Sequence, residues 1–377
     1  MIRRLAVAIS LLVVASACRP ALGPSPTPTP SSIVADLVPK SAMTVAIRLP
    51  GSAGAMFAPF AAISQLGLLA ANKVTVSAIP LGSPDGAFTP SGRTDVVDLY
   101  ALDTATALRA REQGADLVYV ASLEHLTSWG VVSRTRTSLN SLAGSNIYVD
   151  GFPGDEHALR ATLQGAGIDT GDIVLTYSTD TAVPFDPAML ADGTFDAVYT
   201  RSSDGLPRIL QSADENGVAY GADSFTWLPM TGGRAGGLGL WASAASIASE
   251  DGQIAAAAAL VALAATTVGC RDDLQGCSAR YLEAGLSEFD EGTIAWALNQ
   301  WNGSLWPSAG PGLFAIDEAA VEVTGSDAQA VGIVISLDPV SAYVDQAIYA
   351  LASAHWPPDI DLVGSDWVPE EVPLPQY

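Results

Sequence analysis

The amino-acid sequence predicts an α/β fold with two lobes, each a mostly parallel sheet flanked by helices, and a helical C-terminal region. Apolar runs of strand length alternate with helical patterns from Met43 onward, and a second series of the same kind begins at Trp129. From Ser243 to Ala354 the sequence is rich in alanine and mainly helical in pattern. Strands and helices that alternate with short connections are typical of parallel sheets covered on both faces.

The first series contains four predicted strands and two predicted helices. The strands are the apolar runs at residues 43–49, 74–79, 94–99 and 117–121. The helices are predicted at residues 56–69 and 104–113, and Gly114 ends the second one. Glycine just after a periodic segment is a helix stop signal, so each helix fits between two strands of the series.

The second series supplies strands at residues 129–133, 146–149, 173–177, 195–199 and 224–228. A helix at 157–164 follows Asp155 and Glu156, and acids favour a helix N-terminus. A strand at 237–242 then returns towards the first series. Two crossings imply a hinge, and the predicted divisions are lobe 1 at 41–125, lobe 2 at 126–235 and a return to lobe 1 with the helical region at 236–377.

The N-terminal segment predicts export. Arg3 and Arg4 precede an apolar run that ends in small residues at position 17, and the run is shorter than the ~20 residues that span a bilayer. Cys18 follows directly, which resembles the bacterial lipobox, where the thiol is diacylated and becomes the mature N-terminus. We therefore expect residues 1–17 to be a lipoprotein signal peptide and Cys18 to anchor the protein outside the cytoplasm. The alternative is an ordinary signal peptide with a chance cysteine nearby.

Residues 18–40 predict a stalk, because proline alternates with serine and threonine and no apolar periodicity is present. A disordered leader is the alternative. The formal charge of −23 disfavours nucleic-acid binding, which needs a basic surface. Lys40 and Lys73 are the two lysines, and neither has the neighbours of a P-loop or of a Ser-x-x-Lys nucleophile. Motifs of serine hydrolases, zinc proteases and dinucleotide enzymes are missing, so we predict neither an enzyme nor a cofactor.

Cys270 and Cys277 are the two remaining cysteines, in the sequence CRDDLQGC. Outside the cytoplasm two nearby cysteines more often pair than stay free, so a disulfide is expected. A zinc site would need further ligands, and the three histidines lie far away in the sequence. We therefore predict no metal site.

Four segments in chain order carry a family resemblance. They are FAPFAAISQLGLL at 57–69, SGRTDVVDLYALDTATALRAREQGADLVYVASL at 91–123, SLNSLAGSNIYVDGFPGDEHALRATLQGAGID at 138–169 and ADGTFDAVYT at 191–200. Together they resemble the periplasmic solute-binding proteins of ABC importers, in the group that binds thiamine pyrimidine precursors, riboflavin, aliphatic sulfonates, taurine or nitrate. CRDDLQGC and AWALNQWNGSLWPSAGPGLFAID at 295–317 resemble the subset nearest the pyrimidine-precursor and riboflavin binders.

The resemblance implies a type II periplasmic-binding-protein fold that captures a small solute between its lobes. It implies delivery to an ABC permease and its ATPase, by a monomer anchored to the membrane. A planar heterocycle, such as a thiamine pyrimidine precursor or riboflavin, is the expected solute. A sulfonate, taurine or nitrate is the first alternative, and a sensor or surface lipoprotein with the same fold is the second.

Ligands of open α/β sheets bind at the carboxyl ends of strands, which points to particular side chains. In lobe 1 the expected contacts are Ser52, Phe57, Tyr100 and Ser122. In lobe 2 they are Asp150, Phe152, Tyr199 and Arg201. Trp129 and Trp241 lie on the predicted crossing strands, where cleft wall and core are equally good interpretations. A core role is also open for Phe57, a loop-orienting role for Asp150, and an ion pair across the cleft for Arg201.

Overall fold

The described part of the chain covers most of its length. The computed structural model describes residues 36–49, 54–81, 88, 91–151, 153–177, 186–213, 216–219, 224–230, 237–287, 289–306, 312–364 and 367–375. The predicted signal peptide, the lipidation site Cys18 and the predicted ligand residues Ser52 and Phe152 lie outside these ranges.

The first lobe is built on a five-stranded sheet in the order β2-β1-β3-β10-β4. Its strands are β1 (Met43–Leu49), β2 (Val74–Pro80), β3 (Val96–Asp103), β4 (Leu117–Ser122) and β10 (Leu238–Ser243). β1 pairs in parallel with β2 and β3, whereas β10 is antiparallel to both β3 and β4. Four strands therefore run in one direction, and the strand that returns from the second lobe runs against them.

The second lobe repeats this arrangement in the order β7-β6-β8-β5-β9. Its strands are β5 (Trp129–Ser133), β6 (Asn146–Val149), β7 (Val174–Tyr177), β8 (Ala197–Arg201) and β9 (Thr226–Pro229). β6 is parallel to β7 and β8, and β5 is antiparallel to β8 and β9. The antiparallel strand is again the one that enters from the other lobe. The predicted fold class of two mostly parallel sheets is confirmed.

Helices pack on both sheets. In the two lobes they are α1 (Ala58–Leu66), α2 (Thr104–Glu112), α3 (His157–Gly165), α4 (Ala188–Ala191) and α5 (Gly205–Leu210). Every residue of β3 is buried, as expected for a central strand that helices cover on both faces. α1 ends at Gly67, whose φ of 58° is the left-handed conformation that glycine adopts without strain.

The C-terminal region is helical, as predicted. It contains α6 (Glu250–Asp272), α7 (Leu274–Glu283), α8 (Glu291–Leu305), α9 (Glu318–Ala330) and α10 (Gln346–Ser353). α6 is long and apolar enough to cross a membrane by length and composition alone, but 83% of its most apolar window is buried within the protein. Its alanines pack in the same core cluster as β1 and α1, so α6 is the central helix of the first lobe.

Acidic side chains begin four of these helices. The side chains of Asp273, Asp290, Asp317 and Asp345 each accept a hydrogen bond from a backbone N–H of the first helical turn. An N-cap of this kind contributes about 1 kcal/mol to stability. Part of the strong acidity of the sequence therefore has a structural role. Cys270, near the end of α6, forms a disulfide with Cys277 of α7, and their Cα atoms lie 5.0 Å apart.

Several strands differ from their predicted bounds by one to four residues, and the differences in β3 and β8 affect the site. β3 continues to Asp103 because residues 99–103 pair with β10, a partner more than a hundred residues away in sequence. Tyr100 therefore lies within β3, and the prediction that it follows the strand is wrong. β8 begins and ends two residues later than predicted, so Tyr199 lies inside it and Arg201 is its last residue.

Candidate functional site

The carboxyl ends of the central strands of the two sheets meet. Arg201 is the last residue of β8 in the second lobe, and Asp103 is the last residue of β3 in the first. Arg201 Nη2 donates a hydrogen bond to Asp103 Oδ2. Open α/β sheets bind their ligands at the carboxyl ends of strands, and here two such edges face each other across one cleft.

Glu124 joins this pair from the segment that links β4 to β5, and we call Asp103, Glu124 and Arg201 the interlobe triad. Arg201 Nη1 lies 3.3 Å from Glu124 Oε1. Ser128 Oγ donates to the same carboxylate oxygen at 2.5 Å. The side chains of the triad are 3%, 0% and 8% exposed, respectively. Removing ions from water costs free energy. The buried contact is therefore stable only because the positive charge of Arg201 offsets the negative charge of the carboxylates.

The compensation is incomplete, because one guanidinium faces two carboxylates. Burial raises the pKa of Glu124 to about 7, although Arg201 and Ser128 oppose the shift, and the charge of Asp103 adds to it. Burial disfavours the charged form of Arg201, but Asp103 and Glu124 outweigh this and raise its pKa above the ordinary value. Among the described residues, Asp103 Oδ1 and Glu124 Oε2 find no hydrogen-bond donor.

A second contact crosses between the lobes at the start of α2. Thr106 Oγ1 donates to Asp155 Oδ1 at 2.7 Å, and Arg109 Nη1 donates to the Pro153 carbonyl at 3.2 Å. Gly154 lies between them with a φ of 122°, and a Cβ there would be 3.0 Å from Thr106 Oγ1. Only glycine combines this backbone conformation with so close an approach. The loop before α3 is thus fitted against α2 of the opposite lobe.

Acids occupy the helix N-termini that face the cleft. Asp103 precedes α2, Glu156 precedes α3 and Asp204 precedes α5, and none of them forms a side-chain cap bond. Helix N-termini attract anions through their free N–H groups and the helix dipole. At α3 the N–H of Gly154 already donates to Glu156 Oε2 at 2.7 Å. These sites therefore carry negative charge of their own.

Two predicted ligand residues of lobe 2, Trp129 and Tyr199, are buried in the core of that lobe next to Arg201, so the core interpretation fits Trp129 as well. The Trp129 ring stacks on the Tyr199 ring with centroids 4.7 Å apart and an angle of 8°. The Arg201 guanidinium lies 4.4 Å from the centre of the Trp129 ring, and the two residues are cross-strand partners of β5 and β8. Such a cation over an indole ring is attracted by the ring's negative face. Trp129 Nε1 and the Tyr199 hydroxyl have no hydrogen-bond partner among the described residues.

The side chain of Asp150 is hydrogen-bonded to a residue of its own lobe. Thr200 Oγ1 donates to Asp150 Oδ2 at 2.8 Å, next to the first residue of α5, Gly205. A Cβ at Gly205 would lie 2.0 Å from Thr200 Oγ1 and 2.6 Å from Asp150 Oδ2. Asp150 therefore holds together the carboxyl ends of β6 and β8 and the start of α5. This arrangement favours the loop-orienting interpretation of Asp150.

Comparisons of the sequence with protein-family models and with curated proteins find no match. The fold does match solved structures. The periplasmic aliphatic sulphonate binding protein SsuA from Escherichia coli aligns with a TM-score of 0.59 at 15% identity, over 82% of this chain and 100% of that one. The periplasmic nitrate-binding protein NrtA from Synechocystis PCC 6803 aligns with a TM-score of 0.59 at 10% identity, over 84% and 89%.

A third match is the ligand binding component of an ABC-type import system from Staphylococcus aureus, solved with zinc bound. It aligns with a TM-score of 0.58 at 12% identity, over 82% of this chain and 99% of that one. The chain has the type II periplasmic-binding-protein fold. In the described part of the chain, no group of three or more His, Cys, Asp or Glu side chains is arranged to hold a metal ion.

Within this periplasmic-binding-protein fold, three predicted ligand residues of lobe 1 lie in the core. Phe57 is 2% exposed and packs edge-on against Phe60, in the main core cluster of the first lobe. Tyr100 and Trp241 are fully buried in a second cluster on the other face of the same sheet. The core interpretation therefore fits Phe57 and Trp241. Ser122 ends β4 as predicted, and its hydroxyl donates to the Glu124 carbonyl at 2.9 Å.

The residues that sequence reasoning missed are Asp103, Glu124 and Asp155. All three are at most 6% exposed, yet each touches a residue from another segment of the cleft. Asp103 was missed because the third strand was predicted to stop four residues early. Glu124 carried a usable signal, since an acid directly follows the apolar run that ends in Leu123. Arg201 was predicted either to bind a ligand or to pair across the cleft, and the structure shows the pairing.

A cavity of about 700 Å³ opens beside the Arg109 and Pro153 contact. First-lobe residues of α2, including Arg109 and Glu112, line one side of it. Second-lobe residues, including Arg160 and Tyr177, line another, and the segment after α9 closes the third. Because both lobes contribute to its wall, its shape depends on the angle between them.

Proposed function

We propose that this protein is the solute-binding component of an ABC importer. It captures a small solute between its two lobes and delivers the solute to a permease and its ATPase, without turnover. The observation that carries the proposal is the pairing of Arg201 with Asp103 and Glu124, which brings the carboxyl ends of both sheets to one cleft. Closure of two lobes around a ligand is the expected mode, because a ligand that touches both lobes stabilises the closed state.

The charges of the cleft support a neutral or cationic solute that donates hydrogen bonds. Asp103, Glu124, Asp155 and Glu156 are buried there, against one buried arginine, Arg201. An anion would meet like charge at the helix N-termini that otherwise attract anions. A planar heterocycle with amino groups, such as a thiamine pyrimidine precursor, can donate hydrogen bonds to these acceptor oxygens. Riboflavin, which is planar and uncharged, is the second heterocycle of the proposal.

The alternative within the same function is an anionic solute. SsuA and NrtA, which share the fold, are named for binding sulphonate and nitrate. Arg201 is the side chain that favours this alternative. Its charge, however, is already engaged by two carboxylates of its own protein. The heterocycle is therefore the better supported solute.

Membrane attachment is part of the proposal. Lipidation of Cys18 keeps the binding lobes outside the cytoplasm and near the permease. The residue proposed to face the solute from the second lobe is Arg201, since it lies at the carboxyl end of β8, over the ring of Trp129.

Native mass spectrometry of the protein purified from its source tests solute capture. We expect a small compound bound in a one-to-one ratio. A thermal-shift series with a hydroxymethyl aminopyrimidine, riboflavin, taurine and nitrate then separates the solute classes, because a ligand of the native state raises the melting temperature. We expect a heterocycle to stabilise the protein and the two anions to leave it unchanged. Conversion of a bound compound to a product contradicts the proposal.

A further inference from the structure

Glu124 is a carboxyl group without access to water, placed where the chain passes from one lobe to the other. It lies in the segment between β4 and β5, and its side chain is 0% exposed. Oε1 accepts the hydrogen bond of Ser128 and faces Arg201 of the second lobe. Oε2 has no donor among the described residues. Buried carboxylate oxygens normally accept hydrogen bonds, so Glu124 is poorly suited to carry a full charge here.

The groups around Glu124 leave one negative charge in excess. Asp103 faces it from the end of β3, Arg201 from the end of β8 and Tyr119 from β4. Asp155, from the loop before α3, also acts on Arg201. With one guanidinium between Asp103 and Glu124, an ionised Glu124 makes the buried triad an anion, which costs free energy in a site without water. A proton on Glu124 removes this excess.

We propose that closure of the two lobes takes up a proton at Glu124. The inference rests on the proposed function, because it concerns the opening and closing of the same cleft. Opening draws Arg201 away from Asp103 and admits water to Glu124, whose carboxyl group then ionises as an ordinary glutamate. Closure returns the carboxyl group to a dry site beside Asp103, where the neutral form is the stable one. The step is simple binding of one proton to one carboxylate.

The difference in the pKa of Glu124 between the closed and the open state determines the direction of the pH effect. Burial raises the pKa of Glu124 in the closed state from 4.5 to about 7. Between these two values the closed state binds more protons than the open state, so acid favours closure. The stabilisation of the closed state is complete below pH 4.5 and is lost as the pH rises through about 7. Within the window, the ratio of closed to open protein changes by at most about tenfold per pH unit.

The test measures the distance between the lobes without any solute. Ala71 and Gln164 are exposed residues of the first and second lobe, and dyes on Ala71→Cys and Gln164→Cys of the full chain report that distance by energy transfer. We expect the closed population to be larger at about pH 5.5 than at about pH 8. Glu124→Gln, which imitates the protonated carboxyl group, stays closed at both pH values. Glu371→Gln, a change of an exposed glutamate, keeps the pH dependence of the parent.

A distance that does not change with pH in the parent protein overturns the inference, and so does a Glu124→Gln variant that responds like the parent. If this variant does not fold, carbon-13 NMR of the glutamate carboxyl groups in the parent decides the question. We expect one carboxyl group, assigned to Glu124, to titrate near neutral pH, and titration of all glutamates near 4.5 overturns the inference. Because no solute is added, failure here leaves solute capture standing. Failure to bind any solute leaves the pH measurement intact.

Discussion

Arg201 of the second sheet donates a hydrogen bond to Asp103 of the first, and this contact joins the ends of the two central strands. The residues are 98 positions apart in sequence and belong to different lobes. Glu124 adds a second acceptor to the same guanidinium from the hinge segment. A buried ionic contact therefore joins the two lobes at the base of the cleft.

Replacing Arg201 by methionine removes the cation of the triad and leaves two buried carboxylates side by side. Breaking a buried ion pair in this way costs about 3–5 kcal/mol. We expect Arg201→Met to lower the urea midpoint of unfolding accordingly. Arg93→Met is the matched control, because Arg93 pairs with Asp95 on the surface. A midpoint as high as that of the control contradicts the assignment.

Gly154→Ala tests the fit between the loop before α3 and α2. The added methyl group would lie 3.0 Å from Thr106 Oγ1, on a backbone with a φ of 122°. We expect a loss of about 1–3 kcal/mol in the free energy of unfolding, together with a more open cleft. Gly144→Ala is the control for backbone strain alone, since its φ is also positive but nothing lies within 4 Å of its Cβ position. Equal losses in both variants, with no opening, argue against a packed interlobe contact.

Asp103→Asn tests the electrostatic link within the triad. The charge of Asp103 is one cause of the raised pKa of Glu124, so its removal lowers that pKa from about 7 towards the ordinary value. The pH range in which acid stabilises the closed protein then moves to lower pH. Carbon-13 NMR of the Glu124 carboxyl group measures the change, and an unaltered titration shows that the two acids do not interact.

The disulfide is expected to stabilise the helical region and to have no effect on the cleft. Cys270 and Cys277 are seven residues apart, so the closed loop is short and the gain is near the lower end of the usual range, about 2 kcal/mol. We expect a double change to serine to lower the melting temperature by a few degrees. Solute affinity, measured by calorimetry, stays within twofold. A tenfold loss of affinity means that the C-terminal helices contribute to the site.

Cys18→Ser tests the anchor. We expect the variant to be recovered in the soluble fraction, whereas the parent stays with the membrane. Solute affinity is unchanged, because the predicted stalk separates Cys18 from the first lobe. Membrane retention of the variant excludes lipidation at Cys18 as the anchor.

The sequence predicts most of the fold because strand and helix patterns are local properties. The strands at 129–133 and 146–149 have the predicted bounds, and the alanine-rich region predicted to be helical contains the buried helix α6. The end of β3 was not predictable in the same way. Residues 100–103 are strand because β10 pairs with them, and that pairing depends on tertiary structure.

The site was predicted in part for a related reason. Arg201 is the last residue of β8, where a rule about carboxyl ends finds it, whereas Trp129 is the first residue of β5 and was chosen because it lies on a crossing strand. Asp103, Glu124 and Asp155 become site residues through contacts between lobes, which depend on the angle of the hinge. Tyr100 was predicted to be a ligand residue, but its side chain is buried in a core cluster on one face of the sheet. Whether the helices that cover a sheet bury a given side chain cannot be predicted from its position in the sequence alone.

Energy transfer between dyes at positions 71 and 164, during titration with a hydroxymethyl aminopyrimidine, tests solute capture most directly. We expect a shorter distance between the lobes that saturates at one solute per protein, with the compound recovered unchanged. Taurine and nitrate, added in the same way, produce no change in distance. Closure on taurine or nitrate and not on the aminopyrimidine contradicts the proposed solute class, and no closure on any solute contradicts the proposed function.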